Sequence, residues 1–331
     1  NFIFEEENEK YICMVFNLLY GDIYNIIKDD NYQNGLPFKN IKNITIQMLI
    51  ALNNLHNTHN IIHCDIKPEN ILLSGVNNKI KNIIDQFNSI NFLKILKHFK
   101  KKKKKKYIEW AIDKCLEKLN YSSSDTDSDR YNSSNDSCNS NDLNQSFNCN
   151  IDKKYIDNVN IKLSDFGTSI NLSNINKKEI QTRYYRAPEV ILRCNYDYKV
   201  DIWSLGCVIF EILTGDILFN PQKNRETNRD RNHIKLIYEI IGEIPKNMIK
   251  ESDRSKVFFK RNGLLKGINK INNNSLNNIL VKKFKNKIPE NELLLLIDFM
   301  RKLLEIDPCK RLDSIQCLKH KWLSDELYSY N

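Results

Sequence analysis

The stretch that most constrains this chain runs from Ile61 to Leu73. Its polar centre, His63-Cys64-Asp65-Ile66-Lys67-Pro68-Glu69-Asn70, is framed by Ile61-Ile62 and Ile71-Leu72-Leu73. That pattern predicts a tight loop between short buried strands. Its residue types suit the transfer of a phosphoryl group from a nucleotide. A carboxylate (Asp65) can orient an attacking hydroxyl and accept its proton. An ammonium (Lys67) can neutralise charge on the transferred group, and an amide oxygen (Asn70) is a hard ligand for Mg²⁺. An isolated Asp-x-Lys-x-x-Asn is more often an Asx-turn with solvated charges. What argues against that reading here is a second polar constellation, Ser164-Asp165-Phe166-Gly167, directly after the strand-like Ile161-Lys162-Leu163.

With these two segments the chain resembles the eukaryotic protein kinases. The first resembles their catalytic loop, with Cys64 where most members carry Arg, and the second their metal-binding Asp-Phe-Gly. Ala187-Pro188-Glu189 resembles the close of the activation segment, and Asp201-Ile202-Trp203-Ser204-Leu205-Gly206 the start of the family's central helix. The resemblance implies an α+β kinase-like fold, mainly the helical C-lobe with the hinge, interrupted by a low-complexity spacer. It implies ATP and Mg²⁺ as cofactors, with Asp65 and Lys67 catalytic and Asn70 and Asp165 holding the metal. Glu189 and Arg311 are expected to form a buried ion pair. Asp201 is expected to accept hydrogen bonds from the catalytic-loop backbone.

Taken in order, Tyr11 to Phe16 is an apolar, β-prone run. By resemblance it is the last strand of the N-lobe leading into the hinge. Phe16 would gate the nucleotide pocket, the backbone of Asn17 to Leu19 would meet the adenine edge, and Leu72 would lie beneath the ring. Glu69 joins this cofactor-binding set. Asp22 either caps the helix expected over Ile23 to Asp29 or faces the ribose. This register starts the chain inside a kinase domain, with the N-lobe largely missing and no G-x-G-x-x-G among the nine glycines. A truncated chain and a degenerate kinase both fit, and as written the chain is expected to be an inefficient enzyme. Ile44, Met48, Ala51, Leu52 and Leu55 form one helical stripe in a helix spanning Ile41 to His56. His56 and His59 read as core or surface histidines rather than ligands.

Three segments are expected: 1–74, the end of the N-lobe, hinge and catalytic loop; 75–158, a spacer; and 159–331, the rest of the C-lobe. The spacer carries seven consecutive lysines, Lys100 to Lys106, a helical pattern over Tyr107 to Leu119, and an acidic Ser tract from Ser122 to Asp129. The Ser tract and the Asn/Ser run that follows are too polar to bury a core and are expected to be disordered. The lysine run reads as a nuclear import signal or a solvated tether. Setting those seven charges aside leaves +3 of the net +10, so the basicity reads as one local run and no direct nucleic-acid binding is expected. Nine cysteines without a C-x-x-C pair argue for reduced thiols, and no run is long and apolar enough for a membrane span.

The spacer's position, the His-x-Asp-Ile-Lys-Pro-Glu-Asn loop and Gln181-Thr182-Arg183-Tyr184-Tyr185-Arg186-Ala187 together resemble the SR-protein kinases of the CMGC group. The resemblance implies a serine/threonine kinase, monomeric, found in cytoplasm and nucleus, that phosphorylates Ser in Arg/Ser-rich proteins. Glu239, Asp216 and Arg186 are its candidate substrate contacts, with Asp230 and Glu243 as further carboxylates. Asn232 stands where that family's docking groove has an acid. Asp165-Phe166-Gly167 departs from its usual Asp-Leu-Gly, which keeps a Clk-like kinase open. A non-catalytic scaffold is the alternative from another class. Since Cys64 removes the Arg that pairs with a phosphorylated loop, activity without activation-loop phosphorylation is expected.

Overall fold

In the computed structural model the residues described are 2–6, 9–17, 19–75, 156, 159–175, 179–223, 228–266 and 274–324. The expected spacer helix over Tyr107 to Leu119, the lysine run and the acidic Ser tract lie outside them. The chain divides into two units, Asn1–Tyr20 with Gly75–Cys149, and Gly21–Ser74 with Asn150–Asn331.

In the first unit, β1 (Phe2–Glu6) and β2 (Glu9–Cys13) form an antiparallel hairpin, Phe2 opposite Cys13 and Glu6 opposite Glu9. Met14 to Phe16, expected to continue the strand, follow it as irregular, exposed chain.

The second unit opens with β3 (Gly21–Asp22) and α1 (Ile23–Lys28). Asp22 caps α1, its carboxylate accepting the Asn25 N–H at 2.8 Å, as its position before an apolar helical run predicts. α2 (Phe38–Asn53) runs on into one π-helical turn, Asn54–Thr58. It buries Ile44, Met48 and Leu52 of the expected stripe, and also Thr45 and Leu49. β4 (Ile61–Ile62) and β5 (Ile71–Leu73) flank the loop of interest. β5 lies between β3 and β6 (Ile161–Leu163) in a three-stranded antiparallel sheet, while β4 pairs with β7 (Ile170–Asn171).

The helices that follow are α3 (Pro188–Leu192), α4 (Lys199–Thr214), α5 (Arg229–Ile240), α6 (Lys246–Glu251), α7 (Ser255–Phe258), α8 (Leu276–Phe284), α9 (Glu290–Leu303) and α10 (Ser314–Leu318). Every residue of α4 from Val200 to Thr214 is buried, which places this mainly apolar helix at a core's centre. α2 and α9 pack against it. Trp203 stacks on Phe219 with centroids 5.7 Å apart, and Trp322 packs on Phe299 at 4.9 Å. α9 presents Leu293, Leu296, Ile297, Met300 and Leu303 inward at helical spacing. Within this core the Arg311 guanidinium meets Glu189 through two bonds, 2.6 and 3.0 Å, with neither side chain exposed. Carbonyls of Glu305 and Lys199 take further Arg311 donors, at 2.8 and 3.0 Å, so the buried cation is well satisfied.

Candidate active site

The loop from His63 to Asn70 is held from below by Asp201, in the first turn of α4 and fully buried. Its carboxylate accepts the backbone N–H of His63 at 2.8 Å and of Cys64 at 3.0 Å, and lies 2.9 Å from His56 Nε2. The expected support of the loop by Asp201 is therefore present, and the burial of His56 follows from it. His59 is exposed. Cys64 takes a left-handed backbone conformation, φ 69°, with its thiol buried against the Ile62 carbonyl. Burial first, then the Asp201 charge, pushes that thiol far above its ordinary pKa, so it is a packed group rather than a nucleophile.

Asp65 is 8% exposed and both carboxylate oxygens are engaged. Oδ2 pairs with Lys67 Nζ at 2.7 Å and accepts from Asn70 Nδ2 at 3.3 Å. Oδ1 accepts the Thr182 hydroxyl at 2.6 Å and the Thr182 N–H at 3.2 Å. Burial pulls its pKa up, but the Lys67 and Thr182 hydrogen bonds outweigh that and hold the carboxyl below the ordinary value. The group is thus ionised, buried and aimed.

Asn70 spends its amide N–H on the Asp65 carbonyl at 2.8 Å, which leaves its amide oxygen available. The Asn70 carbonyl accepts from the Ser164 N–H at 2.9 Å and the Ser164 hydroxyl at 3.1 Å, tying this loop to the segment that carries Asp165. Asp165 is exposed, left-handed at φ 60°, and accepts the Gly167 N–H at 3.3 Å. Hard oxygen donors on two hydrogen-bonded neighbouring segments fit a divalent cation such as Mg²⁺. Among the described residues, no group of three His, Cys, Asp or Glu side chains forms a separate metal cluster. Left-handed Cys64, Asp165 and Gln181 (φ 68°) are three of the six non-glycine residues with positive φ among the described residues, and strain of this kind gathers at functional sites.

A cleft of about 510 Å³ opens beside Asp65, lined also by Thr168, Ile170, Glu179 and Thr182. Thr182 is the residue that sequence reasoning missed. It stands in the Gln181-to-Ala187 stretch singled out above, but only the folded chain shows that its hydroxyl meets Asp65. Gln181 locks that stretch in place, donating to the Val200 carbonyl at 2.9 Å and to Ser204 Oγ at 2.7 Å, and accepting the Ala187 N–H at 3.0 Å.

The other sequence-stated residues are more dispersed. Leu72 is half-buried on β5 opposite Asp22 on β3, and Glu69 is exposed on the turn Pro68–Asn70. Phe16 and Asn17 are exposed and Leu19 is half-buried, all in the first unit. Arg186 is 9% exposed, with its guanidinium on the Gln181 carbonyl (2.8 Å) and Glu179 (2.5 Å). Asp216 is exposed beside Lys283 at 3.3 Å, and Glu239 lies on α5 3.7 Å from Lys235. Asp230 sits between Arg183 at 2.5 Å and Arg254 at 2.8 Å, so its charge is already matched within the chain. Both guanidiniums outweigh burial and hold its pKa low.

An ionised, clamped carboxylate beside an ammonium and hard oxygen donors suits phosphoryl transfer. The protein kinase domain family matches residues 2–117 and 148–323, and the chain belongs to that family. It is 30% identical to the serine/threonine-protein kinase SRPK of Physarum polycephalum, over 98% of this chain and 70% of that protein. To the protein kinase dsk1 of Schizosaccharomyces pombe it is 29% identical, over 98% of this chain and 68% of the relative. Against the serine/threonine-protein kinase SKY1 of Saccharomyces cerevisiae identity is 36%, over 51% of this chain and 22% of the relative. The chain is a protein serine/threonine kinase of the CMGC group, similar to the SR-protein kinases. Among the described residues no helix is long and apolar enough to cross a membrane.

Proposed function

We propose that this kinase transfers the γ-phosphoryl group of ATP to serine in Arg/Ser-rich proteins. The observation that carries the catalytic half is the Asp65 carboxylate, ionised and clamped between Lys67 and Thr182. Asp65 orients the substrate hydroxyl and takes its proton, and Lys67 neutralises charge on the transferred group. Asn70 and Asp165 hold Mg²⁺, whose role when bound is to neutralise the nucleotide phosphates. Within the second unit, Asp22, Glu69 and Leu72 contact the nucleotide. For Asp22 that means a backbone or edge contact, because its carboxylate caps α1.

The substrate half rests on the likeness to the SR-protein kinases. Among the candidate substrate contacts, Asp216 and Glu239 would have to exchange lysine neighbours for substrate arginines. The Arg186 guanidinium is bound within its own segment and would contribute shape rather than charge. Of the further carboxylates, Glu243 is exposed and pairs with no cation among the described residues, which suits an Arg-rich peptide better. The protein is expected to act as a monomer in cytoplasm and nucleus, on protein rather than nucleic acid, and the division into 1–74, 75–158 and 159–331 belongs to the same reading.

The test is phosphate transfer from Mg-ATP to an Arg-Ser repeat peptide and to an Arg-free Ser-Pro peptide, with Asp65→Asn as the blank. Transfer to the Arg-Ser peptide, absent in the blank, is the expected result. Preference for the Ser-Pro peptide would retain the kinase and reject the Arg/Ser substrate class. Equal transfer by the blank would reject Asp65 as the catalytic group.

A further inference from the structure

The second unit carries a groove of about 1030 Å³ whose chemistry the phosphotransfer site does not use. It lies among α6, α7 and the turn that follows, where Phe259 and Leu265 form an antiparallel bridge. The turn is closed by the Lys260 N–H donating to the Leu264 carbonyl at 2.7 Å and the Gly263 N–H to the Lys260 carbonyl at 2.9 Å. Gly263 is left-handed there, φ 82°.

Six cations line the groove: Lys246, Lys250, Lys256, Lys260, Arg261 and Lys266. Five are exposed and Lys266 is half-buried with its ammonium on the Lys256 carbonyl. None pairs with a carboxylate among the described residues, and only Asp253 among the lining groups carries negative charge. Several cations elsewhere in this unit are matched, Arg183 and Arg254 by Asp230, Arg311 by Glu189 and Lys42 by Glu292. Unpaired like charges gathered in a concavity repel one another and focus a positive potential, which an anionic ligand relieves.

We propose that this groove docks an extended acidic peptide, its charge carried by Asp, Glu or phosphoserine. The shape and the lining favour a peptide over other polyanions. Phe259 is 4% exposed, so no aromatic face is offered for a base to stack on, as single-stranded nucleic acid requires. Ser255 and the Asn262 amide also line the groove and can bond a peptide backbone. No lining residue belongs to the catalytic loop, so docking here and transfer at Asp65 are separable.

The experiment is fluorescence anisotropy with a peptide of alternating Asp and phosphoserine, compared with its Asn and Ser counterpart and with a single-stranded RNA. The wild-type protein is expected to bind the acidic peptide, more weakly as salt is raised. Lys256→Glu, Lys260→Glu and Arg261→Glu combined should weaken it about tenfold or more. All three are exposed, so the denaturation midpoint should stay near the wild type. A second variant, Lys246→Gln with Lys250→Gln, should weaken binding less, and covers the case in which charge reversal unfolds the turn. Equal binding by wild type and both variants, no binding by wild type, or tighter binding of the RNA would each overturn the proposal.

Discussion

Thr182 shows how much one hydroxyl can decide. Asp65 is buried enough to favour its neutral form, and two side chains reverse that balance, Lys67 on one oxygen and Thr182 on the other. In Thr182→Val the Lys67 bond and the backbone N–H remain, but the shortest bond to Oδ1 is gone. A hydrogen bond to a charged group is worth about 1.5–3 kcal/mol, so kcat/KM at neutral pH should fall roughly tenfold or more. The sign on pH follows. With a donor to the ionised form lost, Asp65 protonates more readily, and the acid side of the pH profile moves to higher pH. A pH–rate profile of the variant tests this; an unmoved acid limb would mean that Thr182 does not set the ionisation of Asp65.

At the scale of elements, two glycines permit a close approach between the loop before α2 and the end of α4. Gly35 (φ 104°) and Gly215 (φ 77°) face each other's segments, and the Leu36 N–H donates to the Ile212 carbonyl at 2.8 Å. A Cβ on Gly215 would lie 1.9 Å from the Gln33 carbonyl oxygen, and one on Gly35 would lie 2.0 Å from the Leu213 oxygen. Backbone cannot yield as a side chain does. Gly215→Ala should therefore cost about 3 kcal/mol or more, combining left-handed strain with overlap. Gly263→Ala is the control, since it is left-handed too (φ 82°) but nothing lies within 4 Å of its Cβ, and only about 1–2 kcal/mol is expected. Urea denaturation midpoints compare the two, and equal losses would show that the contact adds nothing to the strain.

For the whole molecule, the buried groups set how stability responds to acid. His233 is fully buried against Phe219, neither ring nitrogen has a hydrogen-bond partner among the described residues, and burial aided by Arg186 and Arg183 pushes its pKa down to about 3. In the unfolded chain it titrates near 6.5. Between those values the unfolded state holds a proton that the folded state refuses, so stability falls as pH drops below about 6.5 and is flat above it. From pH 7 to pH 5 this one group should remove about 2 kcal/mol. His233→Phe, which fits the same aromatic site without a titrating nitrogen, should flatten that slope in denaturation series at the two pH values. An unchanged slope would place the acid sensitivity elsewhere. Charge distribution is also a whole-molecule property. Discounting the lysine run made the rest look nearly balanced, yet six cations converge on one groove.

What the sequence by itself determined is local chemistry and its order. The apolar frames around His63 to Asn70, the Asp165 segment after Ile161 to Leu163, the cap at Asp22, and the Glu189–Arg311 pair were all legible because residue type, spacing and family resemblance specify them. Tertiary structure alone decided which polar groups meet across long separations. Thr182 lies 117 residues from Asp65, Arg254 far from Arg183 along the chain, and the groove lysines are scattered over α6, α7 and a turn. No periodicity encodes those meetings. They follow from how α4, buried on every side, brings its neighbours together, and that packing decides which charges are matched and which are left facing solvent.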